Sequence, residues 1–172
     1  MERKDLIRRI METAYLEGDF VLRSGKRSRY YLDKYLFETQ PDILEALGNE
    51  LSPLIPGDTN LLAGPELGGI PLATVLSIKM QIPFIIVRKE PKSYGTSKHI
   101  EGILEPGDRV VVVEDVVTTG GQSITSAKVL QAAGAVVQKI VCVIDREEGA
   151  KANMEAAGYA FEPLFTKTEL GI

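Results

Sequence analysis

The 172-residue chain contains one cysteine, one histidine and no excess of positive charge, and each shortage excludes something. A lone Cys142 cannot form an internal disulfide, and one cysteine beside one histidine, His99, rules out a thiolate or histidine-rich zinc site. Cys142 lies inside the apolar run VCVID and reads as a small buried hydrophobe. A formal net charge of -4 argues against a general nucleic-acid binder, whose surface would be basic. It leaves room for an anionic small molecule, which needs only a local cluster of cations. The opening stretch MERKDLIRRIMETAYLEG is charged throughout and reads as neither a secretory signal nor a membrane span. A soluble cytoplasmic protein that binds neither nucleic acid nor membrane is therefore expected. Two phosphate-binding signatures are also missing: no GxxxxGK[ST] and no GxGxxG occurs.

What is present fits one domain spanning 1–172, since domains average about 150 residues and a chain this long buries roughly 70% of its unfolded surface. Leu6, Ile7, Ile10, Met11 and Ala14 have helical spacing and predict a helix within 2–17. FVL, the turn SGKRS and RYYLD read as a short hairpin. Pro41 suits a first helical turn and opens a helix running to about Leu54. Strand and helix then alternate: NLLAG, the helix GGIPLATVLSIKM, IPFIIV, a long loop over 89–105, and RVVVVEDV. A helix over 122–133 stopped by Gly134, the strand AVVQKIVCVID, a helix over 147–157 stopped by Gly158, and YAFEPLF complete the series. Strands apolar on both faces, alternating with helices, predict an α/β fold with a parallel sheet covered on both sides.

The segment VVVVEDVVTTGGQS, residues 110–123, concentrates the chemistry. A buried strand brings Glu114 and Asp115 to its C-terminal end; after Val116 and Val117 comes a short turn, Thr118-Thr119-Gly120-Gly121, and then a helix from Gln122. Free N–H groups at a helix start bind anions, and glycines let a phosphate approach the backbone. Ligands of open α/β sheets sit outside the carboxyl ends of the strands, where this turn lies. A phosphate on the turn and hydroxyls, or a hydrated metal, facing the acids together describe a ribose 5-phosphate. The plain alternative is a strand end capping a helix.

EDVVTTGGQS resembles the 5-phosphoribosyl 1-diphosphate (PRPP) motif of the type I phosphoribosyltransferases, and within them most resembles the orotate phosphoribosyltransferase family. Four more segments carry the resemblance, in order along the chain: FVLRSGKRSRYYLD at 20–33, GPELGGIPLA at 64–73, VRKEPKSYGTSKHIEG at 87–102 and VIDREEGA at 143–150. The resemblance implies the type I phosphoribosyltransferase fold, with 1–40 as an N-terminal hood contributing to the base site and 41–172 as the PRPP-binding core. It implies that PRPP and orotate give orotidine 5′-monophosphate and pyrophosphate in pyrimidine synthesis. Mg²⁺ would serve as cofactor, held mainly by PRPP and water with no direct protein ligand. A homodimer is implied too, whose loop 88–102 reaches the partner's active site.

The same resemblance distributes roles. Glu114, Asp115 and Lys92 are the expected catalytic residues. Arg88, Lys89 and Lys92 would bind PRPP with residues 114–122, and Thr118, Arg146 and Arg23 would contact orotate, with Lys98 and His99 as further loop contacts. Charge supports the loop's part: between Arg88 and His99 stand four Lys or Arg and one acid, Glu90, which suits a departing pyrophosphate. Read without the resemblance, that stretch is a solvated charged loop, SGKRS a plain turn and Arg146 a surface ion pair. The chain departs from enteric members at Tyr94, where they have histidine, and at Leu67-Gly68, where some members have lysine. The rival functions are transfer to a purine or other base, and a non-catalytic regulator that senses PRPP.

Overall fold

The computed structural model describes residues 1–21, 25, 27–90 and 99–172. Arg23, Lys92, Tyr94 and Lys98 lie outside the described residues.

The chain opens with α1 (Arg3–Ala14), the antiparallel hairpin β1 (Tyr15–Val21) and β2 (Arg27–Leu32), and a short α2 (Lys34–Glu38). The core follows as α3 (Pro41–Leu51), β3 (Leu61–Pro65), α4 (Gly69–Met80), β4 (Phe84–Val87), β5 (Ile100–Glu101) and β6 (Arg109–Val117). It ends with α5 (Gly121–Ala132), β7 (Val136–Asp145), α6 (Ala150–Ala156), β8 (Phe161–Thr166) and α7 (Lys167–Leu170). The main sheet runs β5-β4-β3-β6-β7-β8, parallel except for β5, which pairs antiparallel with β4.

Burial on both faces explains the valine-rich strands. Val111 and Val113 pack with Leu6 and Ile10 of α1, Ile43 and Leu47 of α3, and Leu72 and Leu76 of α4. Val110 and Val112 pack on the other face with Ala127 and Leu130 of α5 and Met154 of α6. After β3 the chain steps outward to β4, whereas after β6 it steps the other way to β7. The strand order therefore reverses between β3 and β6, and the crevice at such a point is where ligands bind in open α/β sheets. Gly64 and Gly69 allow α4 to start against the sheet: a Cβ on Gly64 would lie 2.6 Å from the Gly69 carbonyl oxygen, and one on Gly69 would lie 2.5 Å from that of Val113.

Three local expectations are corrected and two short helices are added. The first helix ends at Ala14, not near 17, because Tyr15, Leu16 and Glu17 pair with Leu32, Tyr31 and Tyr30. The loop expected over 89–105 contains the short β5, added to the sheet edge by tertiary pairing. The helix expected from 147 begins at Ala150, since Glu147 and Gly149 adopt φ of 56° and 97° and the Asp145 carboxylate accepts the Glu147 N–H. Helices α2 and α7 are additions too short to show a period. Asp33 caps α2 by accepting from the Tyr35 N–H, and Thr166 with Glu169 forms a reciprocal capping box on α7.

Candidate active site

A cavity of about 490 Å³ opens at the reversal point between β3 and β6. Its walls are the end of β6 from Glu114, the turn 118–120 with the start of α5 as far as Ser123, the Glu66–Gly68 turn after β3, Lys89, and Lys34 with Tyr35 of α2. The turn works because Gly120 takes φ 81°, a left-handed conformation that bends the chain straight into α5. The first intrahelical bond there runs from the Ile124 N–H to the Gly120 carbonyl, so the N–H groups before it face outward for an anion. Asn153 of α6 braces the turn by donating to the Thr119 carbonyl at 2.9 Å.

The two acids occupy opposite faces of β6, as neighbours on a strand must. Glu114 points to α5, accepts from the Ser123 hydroxyl at 3.1 Å, and is pushed up to about 8 by burial, reinforced by the charge of Asp115. Asp115 points to the hood. It is 2% exposed and forms an ion pair with Lys34 Nζ at 2.5 Å. Burial alone would lower the pKa of Lys34, but the Asp115 carboxylate outweighs it and holds the ammonium above its ordinary value. The Val116 N–H also donates to Asp115. Glu38, one helical turn from Lys34, is 2% exposed and is raised to about 9 by burial first and the Asp115 charge second. Gly68 sits against this cluster, where a Cβ would fall 1.6 Å from Asp115 Oδ2.

Lys89 enters the wall because its N–H donates to Glu66 Oε1 at 2.6 Å, tying the loop start to the turn after β3. Arg146 stands beside the site, since its N–H donates to the Val117 carbonyl at 2.8 Å. Its guanidinium lies 5.7 Å from the centre of the Tyr30 ring and donates to the Tyr30 hydroxyl at 3.4 Å, while Tyr30 stacks on Tyr15. Glu148 also lies 3.8 Å from that guanidinium.

The fold thus brings Lys89, Glu114, Asp115, Val116, Val117, Thr118, Thr119, Gly120, Gly121 and Gln122 around one cavity, with Arg146 at its edge. Arg88 is turned elsewhere, donating to the Glu90 carbonyl at 3.3 Å with Glu101 at 4.0 Å. His99 lines a separate apolar groove with Ile100, Leu104 and Val129. Sequence reasoning missed Lys34, Glu38, Glu66 and Tyr30. The i,i+4 pair of opposite charges in DKYLFE looks like an ordinary exposed helix face, so only its burial reveals it.

Residues 42–158 match the model of the phosphoribosyl transferase domain. Over 167 residues the chain is 46% identical to an orotate phosphoribosyltransferase of Methanocella arvoryzae, covering 96% of this chain and 95% of that one. The orotate phosphoribosyltransferase structure from Aeropyrum pernix superposes with a TM-score of 0.86 at 32% identity, covering 96% and 95%. That of the Mycobacterium tuberculosis orotate phosphoribosyltransferase in complex with PRPP gives 0.83 at 28% identity, covering 99% of each.

Proposed function

The chain belongs to the phosphoribosyl transferase domain family, and within it to the orotate phosphoribosyltransferases, and from that premise we propose how its residues divide the work. It transfers the phosphoribosyl group of PRPP to orotate, releasing pyrophosphate and forming orotidine 5′-monophosphate in pyrimidine biosynthesis. The observation supporting the assignment of roles is the convergence of the 118–120 turn and the start of α5, Asp115 and Lys89 on one cavity at the reversal of strand order.

The turn Thr118–Gln122 takes the 5′-phosphate on its N–H groups and hydroxyls. Asp115 then faces the ribose hydroxyls from the hood side, and Glu114, held by Ser123, supports the strand end from the other. As the C1–O bond breaks, the ring gains positive charge and the diphosphate gains negative charge. The carboxylate of Asp115 favours the first, and Lys89 with Lys92 and Lys98 of the loop favours the second. Orotate deprotonated at N1 is already nucleophilic, so no covalent enzyme intermediate is needed. Orotate lies against Thr118 and Arg146, with Arg23 as a further contact; His99, in its separate groove, is left out of this site.

Magnesium suits this donor set as an ion carried in by the substrate. Such an ion keeps most of its waters and takes one or two carboxylates beside phosphate oxygens. Glu66 in the cavity wall would meet that water shell, and among the described residues no three His, Cys, Asp or Glu side chains cluster into a cage. When bound, the ion neutralises the leaving diphosphate.

A homodimer in which loop 88–102 completes the partner's site accounts for a cationic segment that begins at the cavity wall with Lys89. Mixing Lys92→Ala subunits with Asp115→Asn subunits is expected to restore activity, because hybrid dimers regain one intact site. Hybrids confirmed by mass spectrometry but inactive would put Lys92 in its own subunit's site. A cytoplasmic location agrees with a lone, fully buried free thiol at Cys142. Among the described residues no helix is long and apolar enough to cross a membrane.

The base assignment is tested at Arg146. Orotate differs from uracil by a carboxylate at C6, and a charge-assisted hydrogen bond changes affinity by about ten- to a hundredfold. Arg146→Ala is expected to raise KM for orotate at least about tenfold, changing KM for PRPP much less. Arg146→Lys recovers part of the loss, since an ammonium lacks the planar fork. An unchanged orotate KM in the alanine variant returns Arg146 to a surface ion pair with Glu148.

A further inference from the structure

We propose that Lys34 and Glu38 are positioning residues of the transfer reaction, gripping the Asp115 carboxylate between an ammonium and a carboxyl group so that it meets the substrate as one fixed negative charge. The proposal rests on the reading that Asp115 faces the ribose of PRPP.

Geometry brings the three groups to one point. Lys34 Nζ lies on Asp115 Oδ2, while the Val116 N–H takes Oδ1. Asp115 Oδ2 and Glu38 Oε1 lie 1.6 and 3.0 Å from the position that a Cβ on Gly68 would occupy, so both carboxyl groups converge on that backbone. Asp115 and Glu38 are each 2% exposed. Two buried carboxylates sharing one ammonium would leave a negative charge uncompensated, which is costly away from water. As a carboxylate, Glu38 has no hydrogen-bond donor on either oxygen among the described residues. As a neutral acid it becomes a donor itself, and the acceptor it faces is Asp115. Its shift to about 9, set by burial and then by Asp115, agrees with that protonation. The titratable groups facing Glu38 are Asp33 and Lys34 of its own segment and Asp115 of β6, with Glu114 behind Asp115.

The arrangement has a functional consequence because Lys34 also belongs to the cavity wall. An entering diphosphate competes with Asp115 for this ammonium. The Glu38 contact is the one that remains, keeping Asp115 aimed while its cation is shared with substrate.

Steady-state kinetics of the full chain test this. Glu38→Leu, which removes the donor, is expected to lower kcat by about ten- to a hundredfold, with KM for orotate little changed. Glu38→Gln keeps an N–H donor and should restore most of that loss at neutral pH. In the wild type kcat/KM for PRPP should fall above about pH 9, where Glu38 loses its proton and adds a second negative charge beside Asp115. In Glu38→Gln that alkaline fall should disappear. Lys34→Met should raise KM for PRPP and lower kcat together. Should Glu38→Leu fail to fold, as judged by thermal denaturation, the alkaline limb of wild type against Glu38→Gln decides alone. A Glu38→Leu enzyme with wild-type kcat, or an identical alkaline limb in Glu38→Gln, overturns the proposal. If Asp115→Asn is still impaired in that case, the reading of Asp115 stands without its supports. If Asp115→Asn turns over normally, that reading falls first.

Discussion

Asp115→Asn is expected to lower kcat by about 10²-fold or more, the scale on which one preorganised electrostatic contact to a transition state is lost. The substitution nearly preserves shape and removes only charge, so packing beneath α2 and the Gly68 turn has little reason to change. Its partner Lys34 keeps 31% of its side-chain surface exposed and can turn into the cavity when the carboxylate is gone. The variant should therefore fold, and its deficit should appear in turnover more than in thermal stability. Loss of the carboxylate deprives the ribose of the group that favours developing positive charge at C1. The measurement is the initial rate of orotate consumption at saturating PRPP, beside a melting curve for each protein. Wild-type turnover would mean that EDVVTTGGQS ends a strand and caps a helix, with the acids serving only the fold.

Gly68→Ala is expected to be comparably damaging for a steric reason. The residue has φ -72° and ψ -25°, which any amino acid adopts, so the glycine is required by space alone. A methyl group there would sit 1.6 Å from Asp115 Oδ2 and 2.5 Å from its Cγ. Asp115 cannot step aside, being buried and held by Lys34 and the Val116 N–H. Either the Glu66–Gly68 turn retreats from the cavity or the carboxylate leaves its place, and in both cases the two halves of the site separate. Overpacking of this kind costs about 1–3 kcal/mol in stability, and kcat/KM for PRPP should fall by about 10²-fold, as when a catalytic group is misplaced by about 1 Å. Gly57→Ala is the control, since a Cβ there meets nothing within 4 Å and its φ is not positive. Near-normal kinetics in Gly68→Ala would show that the turn after β3 moves independently of Asp115.

Much of this enzyme is legible along the chain because its signals are local. Four valines, two acids, a Thr-Thr-Gly-Gly turn and a helix follow one another without interruption, and each rests on neighbours in sequence. Both acids are expected to face the substrate, but the period of two along the strand separates them: Asp115 meets Lys34 and Glu114 meets Ser123 of α5. The parallel sheet covered on both faces is legible as well, since strands apolar all round have no other stable setting. Tertiary structure decided the rest. Ile100 and Glu101 become a strand only because the edge of β4 offers them partners. The Lys34–Asp115 pair joins residues 81 apart in sequence, and a five-residue helix has no period to announce which side is buried. Adjacency of β3 and β6 puts Gly68 against Asp115, and no local preference encodes that contact. Short-range chemistry specified which groups would act, while long-range packing set the charge and the aim of the carboxylate among them.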